Sequence, residues 1–258
     1  MNLYHFPEGQ IIAFALVFLR SSGFVFSWPV FGNSNVPTPM KVLLALVFSL
    51  ILFSVIPMVN PEKIKISEDI LLLAIREVII GVLLGYILRM FFFSISIMGE
   101  IVSVSMGLGS AQLYNPILGT QSHVVEQFQM MLATLLFLSI QGHHFMIMGL
   151  SQSFDILPIG VVGFKAQGFS GLTMITKEVI EMGLRMSGPI MVSIFVANIA
   201  MGVLGRTVPQ INVMVTSLPV QILMGVFILI LTMPLFFSEM NHFLDTMATE
   251  FISILKVL

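Results

Sequence analysis

Residues 70–98 read ILLLAIREVIIGVLLGYILRMFFFSISIM and form the longest apolar stretch of the sequence. At about 1.5 Å per residue, a helix of this length reaches roughly 43 Å. The hydrocarbon core of a bilayer is about 30 Å thick, so such a helix must tilt, break or run beyond the lipid. Within it Glu77, Gly81, Gly85 and Arg89 recur every four residues and build one slowly drifting helical stripe. The two glycines let another helix approach closely, and the flanking charges can then pair across the contact. That other helix can belong to a second subunit or to this chain; the residues leave both open.

Five further apolar stretches surround this one. The first runs from about Gln10 to Phe31, is interrupted by Arg20-Ser21-Ser22-Gly23 and closes at Trp28-Pro29. The second is Lys41 to Ile56, ended by Pro57. The link from Gly32 to Pro39 carries two prolines and several small polar residues, and reads as a loop. Charges at Glu62, Lys63, Lys65, Glu68 and Asp69 mark a solvated connection ahead of Ile70. The fourth stretch is Phe128 to Leu150, the fifth about Val179 to Leu204, and the sixth about Val213 to Phe237. A glycine-bearing loop from Asp155 to Gly171 separates the fourth and fifth. Gly205 to Asn212 reads as a hairpin turn, because Pro209 lacks an amide hydrogen and biases Val208 away from helix. Glu239 to Leu258 reads as a short amphipathic helix with Asp245 and Glu250 on its polar side. The expected fold is an all-α membrane protein of about six apolar helical stretches, one domain over residues 1–258.

Composition supports lipid or protein, and not water, as the main solvent. Of 258 residues 57% are hydrophobic and 9% charged, and the mean hydropathy is +1.03. An average soluble domain is about 45–50% apolar and roughly 25% charged. The net charge of -2 gives no basic bias toward nucleic acid. The absence of cysteine removes disulfides, thiolate metal sites and Cys nucleophiles together. Met1 to Glu8 contain no basic n-region, so the first apolar stretch is expected to stay in the mature protein. Twenty methionines and 23 phenylalanines are adaptable space-fillers.

A simple six-span bundle conflicts with the charges. Arg20, Arg76, Glu77, Arg89, Glu100, Glu126, Arg185 and Arg206 all lie in or beside apolar stretches. Each charge near the centre of a membrane helix costs about 2.5–3.5 kcal/mol. So many of them predict helices that face protein or water over much of their surface. Lysines and arginines fall on both alternate sets of connections, so charge does not orient the chain.

A catalytic constellation is not visible. No phosphate-binding loop ending in Gly-Lys-Ser/Thr and no His-Glu-x-x-His helix occurs. Gly107-Leu108-Gly109 lacks the third glycine and the preceding strand of a dinucleotide site. His143 and His144 are adjacent, hence about 100° apart on a helix, and have no third ligand near them in sequence. No catalytic residue, metal or cofactor is expected. Ser103 to Pro116 reads either as a re-entrant constriction or as a surface loop; non-helical backbone at membrane depth needs protein or a water-filled cavity to satisfy it. Arg206-Thr207-Val208-Pro209-Gln210-Ile211-Asn212 reads either as a docking corner or as a solvated turn.

Taken in order, these motifs resemble the FliR family of type III secretion export-gate proteins, flagellar and virulence members together. The early part carries Arg20, Pro29-Val30-Phe31-Gly32, Val36-Pro37 and Lys41. The centre carries Gly99-Glu100, Met106-Gly107 and Asn115-Pro116, followed by Gly142-His143-His144, Ser153-Phe154 and Leu157-Pro158-Ile159-Gly160. The most specific block is Gly202-Val203-Leu204-Gly205-Arg206 with Pro209-Gln210-Ile211-Asn212. Departures are Gly205 where alanine is common, Gln141 where an acidic residue or Asn is common, and Ser103 where Asp is common.

The resemblance implies bent helical hairpins packed into a multi-subunit helical assembly in the bacterial inner membrane, within the flagellar basal body. Its implied partners are FliP and FliQ in the gate, FlhB and FlhA at its base, membrane lipid, and unfolded rod, hook and filament subunits as cargo. A channel plug is implied at Met106, Gly107, Leu108, Gly109, Leu113, Tyr114, Asn115 and Pro116. Subunit contacts are expected at Glu77, Gly81, Gly85, Arg89, Arg206, Pro209, Gln210 and Asn212. A virulence-type export-gate subunit is the alternative within the resemblance; outside it the rivals are a small-molecule transporter, for which no internal repeat is visible, and an intramembrane enzyme, for which no catalytic constellation is visible.

Overall fold

A computed structural model describes residues 8–29, 36–55, 70–108, 124–159, 168–208, 210 and 212–257. Among the described residues the secondary structure is helical throughout. The helices are α1 (Glu8–Ser27), α2 (Thr38–Val55), α3 (Ile70–Ser105), α4 (Val124–Ser139), α5 (Gly142–Ile156), α6 (Gly168–Thr207) and α7 (Val213–Val257). Five of them, α1, α2, α3, α6 and α7, are long and apolar enough to cross a membrane, and α4 with α5 could make a sixth, broken span. Of the loop residues singled out above, Gly109, Leu113, Tyr114, Asn115, Pro116 and Pro209 lie outside the described residues, as do Val30, Phe31, Gly32 and Gly160.

The helix ends follow local chemistry. The Pro37 carbonyl accepts from the Met40 and Lys41 amides, so Pro37 opens α2, and Pro39 falls in the first turn, where its missing amide hydrogen costs nothing. The fourth apolar stretch divides at Gln141, which adopts a left-handed backbone (φ 59°, ψ 29°) and starts α5. Its carbonyl accepts from the His144 amide, and the chain resumes as helix. In contrast, Pro189, Pro219 and Pro234 sit inside α6 and α7 without ending them. The long third stretch runs unbroken for 36 residues. The tail expected as a separate amphipathic helix is instead continuous with α7, which runs 45 residues.

The chain forms two compact units, each assembled from separate segments. The first holds residues 1–90, 138–175 and 246–258, and the second residues 91–137 and 176–245. In the first unit α1 and α3 cross with glycine on both sides. A Cβ on Gly23 would stand 2.8 Å from the Val78 carbonyl oxygen, one on Gly81 would collide with the Arg20 carbonyl, and one on Gly85 would stand 2.8 Å from the Phe24 carbonyl. Phe24 and Trp28 pack against each other at 5.1 Å in this core, with Phe24, Val25, Ile80 and Leu84 buried around the crossing.

The second unit uses the same device elsewhere. A Cβ on Gly99 of α3 would stand 2.5 Å from Cα of Glu126, so α3 and α4 are in backbone contact there. Gly183 of α6 makes room for Ile97, whose Cγ2 would lie 2.8 Å from an added Cβ. Phe91 and Phe243 stack at 5.7 Å, and Ser94, which donates to the Phe91 carbonyl, lies 3.6 Å from the Met182 sulfur.

Candidate functional site

Two arrangements stand out, one in each unit. In the first, Arg20 is fully buried in α1 and satisfied on every side. Its Nε donates to Glu77 Oε2 at 2.5 Å. Its Nη1 donates to the Ser153 carbonyl at 2.9 Å and lies 3.2 Å from the Ser153 hydroxyl, while Nη2 donates to the Leu157 carbonyl at 2.9 Å. The guanidinium also lies over the Phe154 ring, 4.1 Å from its centroid. Arg76 joins from α3: its Nη1 donates to the Pro158 carbonyl at 3.2 Å and stands 3.5 Å from Glu77 Oε1.

Geometry explains why arginine stands at position 20. At the end of α5 the Ser153 carbonyl accepts from the Leu157 amide at 2.9 Å and keeps a second lone pair, while the Leu157 carbonyl lies just past the last turn. A planar fork of donors can bond those carbonyls and a carboxylate at once, which a lysine ammonium on the same stem cannot reproduce. Arg20 thereby ties α1, α3 and the end of α5 together. Two arginines and one glutamate are buried here, so the cluster carries one excess positive charge. Its groups are engaged with one another across three helices, an arrangement suited to positioning. Among the described residues no group of three or more His, Asp, Glu or Cys is placed to hold a metal.

The sequence motifs Arg20, Ser153-Phe154 and Leu157-Pro158 were separate pieces of one pattern; the fold brings them into one cluster. Arg20 and Arg76 are visible in the sequence as charges in apolar stretches, but the expected contact residues do not include them. The signal that could have found them is the count of intramembrane charges, which demands partners of opposite sign. Of the stripe in α3, Glu77, Gly81 and Gly85 are buried, and the groove they form is occupied by α1 of the same chain. Arg89, at its end, is exposed, and so are Arg206, Gln210 and Asn212.

The second arrangement is the end of α3, which is where the expected plug begins. Gly107 has φ +74°. The Leu108 amide bonds back to the Ser103 carbonyl at 3.1 Å and the Gly107 amide to the Val104 carbonyl at 3.0 Å. This paired reversal around a left-handed glycine is the Schellman stop, which satisfies the last carbonyls and turns the chain. Met106, 1% exposed, sits in a notch of α7 that exists because residue 225 is glycine; a Cβ there would lie 2.6 Å from Met106 Cγ. A Cβ on Gly107 would lie 2.9 Å from Gln221 Oε1, also on α7. Met106, Gly107 and Leu108 thus form an anchored root for the loop that follows.

The comparison with known proteins agrees with the motif order. The family described as bacterial export proteins, family 1, matches residues 11–247. The flagellar biosynthetic protein FliR of Bacillus subtilis (strain 168) is 33% identical over 240 residues, covering 89% of each chain. That of Aquifex aeolicus (strain VF5) is 32% identical over 241 residues, covering 92% of each. That of Escherichia coli (strain K12) is 28% identical over 258 residues, covering 97% of this chain and 94% of the relative. With a match along nearly its whole length and relatives above 30% identity, this chain belongs to the bacterial export proteins, family 1, as a multi-pass inner-membrane subunit of the flagellar type III export gate.

Proposed function

We propose that the chain builds part of the wall of a protein-conducting channel and supplies the loop that closes it. The observation that carries this reading is the contrast between the two ends of its packing problem. The buried charges Arg20, Arg76 and Glu77 pair with one another within the chain, whereas long apolar helix faces are left uncovered by it. The spanning windows of α6 and α7 are only 17% buried. At about 1.5 Å per residue, α6 and α7 extend roughly 60 and 67 Å, twice the lipid core. Apolar faces of that reach need protein as well as lipid to cover them.

FliP-like and FliQ-like subunits are the proposed cover, with FlhB and FlhA at the base of the assembly. Arg89, Arg206, Pro209, Gln210 and Asn212 are the proposed contacts, with Glu77, Gly81 and Gly85 shaping the surface from beneath. The chain performs no chemistry of its own in this reading. Its cargo is unfolded rod, hook and filament protein, for which flexible Met and small Gly contacts tolerate varied side chains.

The plug is assigned to about Met106 through Gln121, with Leu108, Leu113 and Tyr114 as the bulky obstruction. Deleting Gly109 to Tyr114 should leave the gate assembled and raise ion leakage across the membrane. An unchanged leak in an assembled gate removes the plug role from this loop. The subunit role itself is tested by deleting the gene and comparing flagellar subunits in the medium with those held in the cytoplasm. Loss outside with synthesis intact, restored by a plasmid copy, is the expected result; normal export would overturn it.

A further inference from the structure

The buried cluster of the first unit is complete at Arg20 and incomplete at Arg76. Arg20 uses its donors on Glu77 and on the Ser153 and Leu157 carbonyls. Arg76, 5% exposed, is served far less well. Its Nη1 has the Pro158 carbonyl at 3.2 Å and stands 3.5 Å from Glu77 Oε1, and its Nε is enclosed without an acceptor. Among the described residues Glu77 is the only carboxylate within ion-pair distance of either arginine, and it lies nearer Arg20. One negative charge therefore answers two positive ones, and the surplus sits on Arg76. Lipid is poorly placed to answer it. An arginine on a lipid-facing helix bends its guanidinium toward the headgroups, but that of Arg76 is turned inward to the Pro158 carbonyl. The acceptor must come to the arginine. Beside it and one turn to either side, Ile75, Leu72 and Ile79 leave the outer face of α3 apolar and exposed.

We infer that Arg76 is an interface residue, and that another gate subunit supplies to it a carboxylate carried on an otherwise apolar helix. This rests on the reading in which other subunits cover this chain, and names the chemistry at one point of contact. Aliphatic side chains of that helix cover Leu72, Ile75 and Ile79, and its acidic group brings the cluster to neutrality. Arg20 ties the chain's own helices together, and Arg76 extends the same charge network across a subunit boundary. A neighbour of the same shape without the carboxylate leaves a cation stranded in apolar surroundings, so the contact also selects the neighbour.

The test is Arg76→Met in two settings. In the separately purified chain the substitution leaves Arg20 and Glu77 as a balanced pair, so the thermal midpoint should stay close to the native value and well above that of Arg20→Met. In cells it should at least halve the amount of assembled gate, because the neighbour's carboxylate is now the stranded charge. Variants of that strain that regain export should carry an Asp or Glu exchanged for an uncharged residue in another gate subunit. If the midpoint of the purified chain falls to the level of Arg20→Met, Arg76 is a folding contact and the inference is wrong. It is wrong too if gate recovery is unchanged, or if every variant that regains export maps inside this chain; the export-gate role, tested by deleting the gene, stands in either case. Exchanging chloride for gluconate is the last check. If chloride raises the midpoint of the native chain and not that of Arg76→Met, a free anion fills the place and no subunit does.

Discussion

Arg20 is the residue on which most of the first unit converges. Replacing it with Met removes a guanidinium that serves Glu77, the Ser153 and Leu157 carbonyls and the Phe154 ring. Removing one partner of a buried ion pair costs about 3–5 kcal/mol, because the other charge is left stranded. We expect Arg20→Met to lower the thermal midpoint of the detergent-purified gate sharply. Adding Glu77→Leu should deepen the loss, since the carboxylate is also the partner of buried Arg76, 3.5 Å away. A double variant more stable than the single would show that Arg76 does not depend on Glu77. Gln129 gives the opposite sign. It is 1% exposed, and among the described residues neither end of its amide finds a hydrogen-bond partner. Gln129→Met, similar in length and apolar, should raise the midpoint, because an unsatisfied buried amide costs about 1–3 kcal/mol; a lower midpoint would mean that something beyond these residues satisfies it. Residue charges were readable in the sequence, but their partners were not. Arg20 meets Glu77 across 57 positions and Ser153 across 133, and no local pattern spans such distances.

Among the helices, glycine spacing was the readable feature. The stripe Glu77–Gly81–Gly85 announces a close crossing, and α1 and α3 make one. What the stripe does not contain is the identity of the neighbour, since a glycine groove accepts any helix of complementary shape. Gly81→Ala tests the crossing. Its methyl would meet the Arg20 carbonyl and stand 2.9 Å from the Phe24 amide nitrogen, backbone atoms that cannot rotate away. Overpacking of this sort costs about 1–3 kcal/mol, and the thermal midpoint should fall; an unchanged value would mean that α1 shifts freely along α3. Helix ends were less legible. Pro189, Pro219 and Pro234 are stop signals in water, but in apolar surroundings neighbouring helices and side-chain hydroxyls take up the freed backbone groups. The residues turn polar from Phe237 to Glu239, which in the sequence resembles a helix boundary. No glycine or proline interrupts the chain from Leu235 to Val257, so the helix simply continues through the change.

For the molecule as a whole, apolar composition indicates the membrane class, and the charges inside apolar stretches signal that such groups need partners, as Arg20, Arg76 and Glu77 have in one another. How much of each helix would be covered by other subunits was not written in one chain. Gly202 offers a way to separate the two kinds of packing. A Cβ there would meet nothing within 4 Å, so Gly202→Leu should leave the stability of the separately purified chain unchanged or slightly higher, in line with the poor helix propensity of glycine. If a partner helix lies on this exposed face of α6, the same substitution should reduce recovery of the assembled gate. Equal recovery would place lipid, and not protein, against that face. The Arg20 cluster also sets an order in time. A ribosome adds about 5–20 residues per second, so Arg20 waits roughly 3–11 s for Glu77 and about 7–27 s for Ser153 to be made. During that interval a newly synthesised apolar segment carries an unmatched cation, at an insertion cost of about 2.5–3.5 kcal/mol. The first helix therefore cannot settle alone. Its packing is complete only once the segment ending at Pro158 has been made, so the amino-terminal span is among the last to reach its final contacts.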